Sequence, residues 1–255
     1  MNVSLSNKKG IILGVANDQS LAWGCAKAFK AQGAQLALSY LNEKAKPFVQ
    51  PLANQLEADI CLPLDVTNQA QWDAFFERIQ TQWGRLDFAL HSIAFAPKED
   101  LHGRVVDCSV SGFLQAMDVS CHSFIRMAKA CEPLMNQGGT LLTMSYYGAQ
   151  RVVQNYNMMG PVKSALEASV RELASELGAQ GIRVNALSAG PVKTRAASGL
   201  ANFDALMQQA AEQAPLHQLT TIDDVGSMAA FLVSDAARHI TGQTHFVDCG
   251  YNIIG

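Results

Sequence analysis

Tyr156 and Lys163 are the residues whose types and spacing point most directly to chemistry. They stand seven apart, two turns of an α-helix, so a helix beginning near them would project both side chains from nearly one face. A phenol beside a lysine ammonium is a better proton donor to a developing oxyanion, because the positive charge favours the anionic form of the phenol. The ammonium can also hold the ribose hydroxyls of a nicotinamide nucleotide. One such pair in isolation also fits a core tyrosine and a surface lysine that merely share a face. The elements that would position the pair decide between these readings.

Apolar runs of strand length alternate with longer amphipathic stretches throughout the chain, the pattern of repeated βαβ units around a parallel sheet. The expected strands are residues 10–15, 35–40, 59–64, 86–91, 140–144, 183–187 and 244–247. The expected helices are 21–32, 43–55, 69–83, 112–135, 158–177 and 222–234. Most of the strands are continuous apolar runs, as strands covered on both faces should be. The expectation is an α/β fold of a single domain over residues 1–255. It is a Rossmann-like, doubly wound parallel sheet of seven strands, with helices on both faces and the ligand beyond the strands' carboxyl ends. Residues 94–109 and 189–215 break the alternation at two such ends. The second segment carries Gly190, Pro191 and Gly199 and a helical patch over 203–213, so it reads as a substrate-binding loop or lid. An ordinary surface excursion would fit the same residues.

After the first strand comes GVANDQSLAWG, where Gly14 permits a tight turn and Ser20 can cap the helix from Leu21. A helix start with free amides attracts a pyrophosphate. The spacing is not GxGxxG, so the generic fingerprint is missing. Three later segments add support. LDVT ends the third strand with Asp65, which can accept from an adenine amino group, while Val66 offers backbone groups to the same edge; Asp65 could instead cap the following helix. HSIAFAP ends the fourth strand, and the small Ser92 and Ala94 allow backbone to approach a ribose or nicotinamide. The second strand ends SYLNEK, with no acid at its tip for a 2′-hydroxyl and no basic residue before Lys44 for a 2′-phosphate, which leans towards NADH over NADPH.

Composition excludes several classes. At 49% hydrophobic and 16% charged residues, the 255-residue chain can bury a substantial core. A net charge of −3 without a dense Lys/Arg cluster makes nucleic acid an unexpected partner. The apolar runs are too short to cross a bilayer, and residues 1–10 lack the apolar core of a secretory signal. Cys25, Cys61, Cys108, Cys121, Cys131 and Cys249 form no CxxC pair, so no metal site is expected. Small buried thiols in a reducing cytoplasm are the expectation.

Taken together, these motifs make the chain resemble the enoyl-acyl-carrier-protein reductases of type II bacterial fatty-acid synthesis, the FabI branch of the short-chain dehydrogenase/reductase superfamily. The resemblance runs from Lys9 to Ile254. It is carried by Gly14, Ser20, Ala22 and Gly24, by HSIAFAP, by LLTMSYYGA, by the Tyr156–Lys163 spacing and by SAGPVKTRAASG, in that order. Usual short-chain dehydrogenases place lysine four residues after the tyrosine, where this chain has Gly160. That departure disfavours a 3-oxoacyl ketoreductase. A specialised enoyl-thioester reductase, or a dinucleotide-binding sensor without turnover, would also carry motifs of this kind.

The resemblance implies an NADH-dependent reduction of trans-2-enoyl thioesters. Tyr156 would donate to the thioester carbonyl and hold the enolate, and Lys163 would bind the nicotinamide ribose. Tyr146 would line the acyl pocket beside the catalytic pair without being essential. Gly14, Ala16, Ser20, Leu21, Leu41, Asp65, Val66, Ser92, Ile93, Ala94, Lys163 and Val192 match dinucleotide-binding positions. Ala94, Ala96, Tyr146, Tyr156, Met159, Ala196, Ala197 and Leu200 match the substrate pocket. An acyl-carrier protein as partner and a homotetramer built on helices 112–135 and 158–177 are further implications. Leu41 stands where many relatives have a polar residue near the adenosine. Residues 200–213 contain no lysine or arginine, although some relatives dock the acidic carrier through basic residues near here, so Lys98, Lys193 or Arg195 would have to serve.

Overall fold

The computed structural model describes residues 3–194 and 203–254. Seven parallel strands form one sheet: β1 Lys9–Leu13, β2 Gln35–Tyr40, β3 Ile60–Pro63, β4 Phe88–His91, β5 Gly139–Tyr146, β6 Ile182–Ala189 and β7 Thr244–Val247. Their spatial order is β3-β2-β1-β4-β5-β6-β7. The winding therefore reverses between β1 and β4, which are paired in register from Gly10 opposite Phe88 to Leu13 opposite His91. A crevice opens at such a reversal beyond the strand ends, because the two flanking connections leave in opposite directions.

The helices among the described residues are α1 Leu21–Ala31, α2 Lys46–Gln55, α3 Gln69–Trp83, α4 Lys98–His102, α5 Val110–Met117, α6 Ser123–Cys131, α7 Met159–Leu177, α8 Phe203–Gln213 and α9 Ile222–Val233. Alternate strand residues feed two cores. Ile11, Leu13, Ala89 and Leu141 pack with Phe75 and Ile79 of α3, Phe124 of α6 and Leu166 of α7. Ile12, Leu38, Leu90 and Leu142 pack with Phe29 of α1, Val49 of α2 and Val225 of α9. Both faces of the sheet are dry, which is why the strands read as unbroken apolar runs. Among the described residues no helix is long and apolar enough to cross a membrane.

Two expected helices differ from what forms. The segment expected to be helical from residue 43 becomes helical only at Lys46, with a proline in its first turn. Asn42 accepts from the amides of Lys44 and Ala45 at 3.0 and 3.1 Å, holding a turn ahead of that helix. The single helix expected over 112–135 is instead α5, a π-helical turn Asp118–His122, α6 and a short 3₁₀ turn Glu132–Leu134. Ser109 caps it two residues early by accepting from the Gly112 amide. The wider π turn coincides with tertiary bonds: Ser120 Oγ both accepts from the Phe95 amide at 2.8 Å and donates to the Phe95 carbonyl at 3.0 Å. Such turns cluster at functional sites, and this one ties α5 and α6 to the strand-end segment that enters the crevice.

Candidate active site

The crevice at the β1/β4 reversal holds a cavity of about 340 Å³. Its floor begins with Gly14, whose φ is 103°, a conformation that L side chains rarely adopt. A Cβ there would sit 2.2 Å from the Ser92 carbonyl oxygen, so two strand ends approach as closely as backbone allows. The chain then reaches α1. Ser20 occupies the cap position, but its hydroxyl donates to the Asn17 carbonyl at 2.7 Å and caps nothing. The expected side-chain cap is absent, which leaves the first turn of α1 to meet an anion with amides and dipole. Gly24 lies elsewhere: a Cβ there would be 2.1 Å from the Ile222 carbonyl oxygen, so this glycine lets α1 pack on α9.

The opposite wall comes from β5 and α7. Tyr156 is not on the helix with Lys163. It sits in the turn before α7, flanked by Asn155 and Asn157 at φ 64° and 45°. The shared-face expectation therefore fails in its helical form. The left-handed residues fold the turn so that the Tyr156 ring lies on Gly148, where a Cβ would be 2.3 Å from Cδ1. Tyr156 and Lys163 nevertheless line the same cavity, 8% and 5% exposed. Tyr146, from the end of β5, meets Tyr156 edge to face.

Electrostatics here differ from the simple picture of an ammonium acidifying a phenol. Burial first, then the neighbouring Tyr146 and Glu167, push the Tyr156 phenol above its ordinary range. Lys163 Nζ donates to the Met144 carbonyl at 2.6 Å. Burial lowers Lys163 to about 8, against the raising influence of Cys121 and Glu167. Tyr156 thus keeps its proton and presents a neutral donor. Below the β4 end, His91 Nε2 lies 2.7 Å from Ser123 Oγ and Nδ1 3.1 Å from Thr143 Oγ1. These three side chains are buried and away from the cavity lining, so they form a satisfied polar core and supply no nucleophile.

Of the residues expected to bind the cofactor, Gly14, Ala16, Ser20, Leu21, Ser92, Ile93, Ala94, Lys163 and Val192 line the cavity. Leu41, Asp65 and Val66 do not; they stand at or just past the ends of β2 and β3, on the side of β1 away from Tyr156. Asp65 Oδ1 accepts from the amide and hydroxyl of Thr67 at 2.9 and 2.7 Å, and Asn68 is the cap of α3, so Asp65 does not cap that helix. The Val66 carbonyl is taken by Arg126 Nη1 at 2.6 Å. Of the expected substrate residues, Ala94, Ala96, Tyr146, Tyr156 and Met159 line the cavity. Ala196, Ala197, Leu200 and Arg195 lie outside the described residues.

Sequence reasoning missed Met144 and Ser145 on β5; it flagged the segments 94–109 and 189–215 without singling out Phe95, Leu101 or Phe203 as site residues, and all of these line the cavity with Gly190 and Pro191. The apolar residues among them carry no spacing signal. Glu167 had one: an acid on the buried face of a helix, four residues after Lys163.

A doubly wound parallel sheet with a glycine turn at the reversal, an uncapped helix start and a converging tyrosine and lysine defines a nucleotide-dependent oxidoreductase. A profile described as Enoyl-(Acyl carrier protein) reductase matches residues 14–252. The chain belongs to that enoyl-(acyl-carrier-protein) reductase family. It is 47% identical over 253 residues to an enoyl-[acyl-carrier-protein] reductase [NADH] of Rhizobium meliloti, covering 99% of this chain and 94% of the relative. Among solved structures, the Anaplasma phagocytophilum reductase in complex with NAD superposes with a TM-score of 0.95 at 51% identity, covering 98% of this chain and 96% of that one. The Bacillus cereus reductase, crystallised with NADP⁺ and indole naphthyridinone, gives 0.96 at 44% identity over the whole of both chains.

Proposed function

We propose that this chain is an NADH-dependent enoyl-[acyl-carrier-protein] reductase, reducing the trans-2 double bond of enoyl thioesters during fatty-acid synthesis. The observation that carries the reading is the convergence of Tyr156, Tyr146 and Lys163 in one largely apolar cavity at the strand reversal. The Gly14 turn and the uncapped start of α1 fit a pyrophosphate, because a side chain at either point would fill the space or take the amides. That Lys163 lines the same cavity supports a role in holding ribose hydroxyls. Asp65 and Leu41, just past the ends of β3 and β2, are the residues we assign to the adenosine end. The reduced nicotinamide, when bound, supplies hydride for C3 of the enoyl chain.

Within that arrangement Tyr156 donates a hydrogen bond to the thioester carbonyl oxygen, where negative charge develops. Its raised pKa keeps the proton on the phenol, so the oxyanion is stabilised by a hydrogen bond. Apolar side chains from the β4 end and from Met159 and Phe203 exclude water, which strengthens that bond. Pro191 and Phe203 line the cavity, which supports the reading of 189–215 as the substrate loop.

Purified protein should consume NADH with crotonyl and longer enoyl thioesters, faster than NADPH. Consumption with 3-oxoacyl thioesters in their place would overturn the assignment. An acyl-carrier protein is the proposed donor of substrate. A homotetramer is supported by the apolar face of α5, where Val110, Phe113 and Leu114 are 78, 39 and 61% exposed; sedimentation tests it. The six cysteines are all free, which suits a cytoplasmic location.

A further inference from the structure

Residues 247–251, at and just beyond the end of β7, touch the chain at both ends of the 189–215 segment. At its start the Gly190 amide donates to the Val247 carbonyl at 2.9 Å, and a Cβ on Gly190 would lie 3.1 Å from the Asp248 Cα, so the two backbones are in contact. At its end the Leu216 amide donates to the Cys249 carbonyl at 3.3 Å, and a Cβ on Gly250 would lie 2.9 Å from Pro215 Cγ. The same short stretch reaches the tyrosine wall of the cavity. The Tyr251 ring meets Tyr147 edge to face, 5.7 Å between centroids, and Tyr147 directly follows Tyr146.

Asp248 gives this stretch its shape. It is 8% exposed, and its carboxylate is held by neutral donors: Oδ1 accepts from the Gly250 amide at 3.0 Å and Oδ2 from the Asn252 amide at 2.8 Å, with Asn252 Nδ2 at 3.1 and 3.0 Å from the two oxygens. These bonds turn the chain through Cys249 and Gly250, at φ 58° and 87°. Left-handed backbone is unfavourable for a residue with a Cβ such as Cys249, so the turn persists only while its surroundings impose it.

We propose that Asp248 is a positioning residue that sets acyl-chain specificity: by fixing the turn over 248–252 it holds both ends of the 189–215 segment in register with the Tyr146–Tyr147 wall. The proposal rests on the reading that this cavity takes the enoyl chain. Pro191 and Val192 follow the first braced point and line the cavity together with Tyr146 and Tyr156, so a shift of the brace moves the lining. Each buried methylene adds to binding, and a displaced wall therefore weakens a long acyl chain more than a short one.

The test compares trans-2-dodecenoyl with crotonyl coenzyme A thioester on the full chain. Asp248→Ala should lower kcat/KM for the dodecenoyl relative to the crotonyl substrate by on the order of tenfold, through KM and with NADH affinity retained. A merely structural loss scales turnover on both substrates alike through the folded fraction and leaves that ratio where it was. Hydrogen exchange read by mass spectrometry should show the peptides containing Gly190 and Leu216 losing protection together. Asn252→Ala removes both Nδ2 contacts and should move the ratio in the same sense by a smaller factor, and it decides the matter should Asp248→Ala not fold. An unchanged ratio in the folded variants overturns the specificity role, and unchanged protection of the two peptides overturns the brace. A parent that reduces neither thioester would instead overturn the functional reading, and the exchange result would still decide whether Asp248 holds the two ends.

Discussion

The rings of Tyr146 and Tyr156 meet edge to face, 4.8 Å between centroids and inclined at 63°. The two phenols are not equivalent. Among the described residues the buried Tyr146 hydroxyl has no hydrogen-bond partner, whereas the Tyr156 ring is seated on Gly148 by a turn with two left-handed residues.

That difference separates two conservative substitutions. Tyr156→Phe should lower turnover by on the order of 100- to 10,000-fold with NADH affinity retained, since it removes the donor to the developing oxyanion. Tyr146→Phe should retain most turnover. It deletes a buried hydroxyl that has no partner among the described residues, so the unfolding midpoint should hold or rise by roughly 2–4 °C. Steady-state kinetics and calorimetry on both variants check this; equal losses of turnover would contradict it.

Acid should destabilise the protein through His91. Its folded pKa, about 3, lies below the ordinary 6.5, so between these values the unfolded chain binds a proton that the native state does not. Stability therefore rises with pH across that window and is lost as pH falls through it, by about 2 kcal/mol between pH 6.5 and about 5. His91→Gln keeps hydrogen-bonding capacity towards Ser123 and Thr143 and should flatten that slope in urea unfolding at the two pH values. An unaltered slope would assign the acid sensitivity to other groups.

Two glycines near the nucleotide end should respond differently. Gly14→Ala forces a side chain at φ 103° against Ser92, costing about 1–3 kcal/mol from backbone strain alone, and should abolish dinucleotide binding. Gly24→Ala wedges α1 from α9 at Ile222 and should cost about 1–3 kcal/mol while the folded fraction still binds NADH. Denaturation midpoints paired with calorimetric binding distinguish them.

Cofactor choice should turn on Leu41, 53% exposed just past the end of β2. Leu41→Arg supplies a bidentate donor for a 2′-phosphate and should raise the NADPH to NADH ratio of kcat/KM by on the order of tenfold. A ratio that does not move places the adenosine ribose elsewhere.

Much of the fold was legible because both faces of the sheet are buried. Strands Gln35–Tyr40 and Thr244–Val247 and helices Gln69–Trp83 and Phe203–Gln213 form at the expected residues. Legibility ended where tertiary bonds override periodicity. The apolar pattern over 112–135 is that of one helix, yet Ser120 is bonded to Phe95 and the backbone widens into a π turn there. Ser20 has the residue type and position of a cap, yet its hydroxyl turns back to Asn17.

Residue types and order alone determined the parallel α/β architecture and the glycine turn after the first strand. They also pointed to Tyr156 and Lys163 as a candidate pair, which the fold then placed on one cavity. Tertiary structure decided how that site works. Tyr156 enters the cavity that Lys163 also lines from a turn and not from a shared helix, because Asn155 and Asn157 take left-handed conformations and Gly148 leaves room for the ring. The state of both groups was set in the same way: burial, chiefly, raises the Tyr156 phenol and lowers Lys163, and burial is decided by segments that the fold packs together from distant parts of the chain.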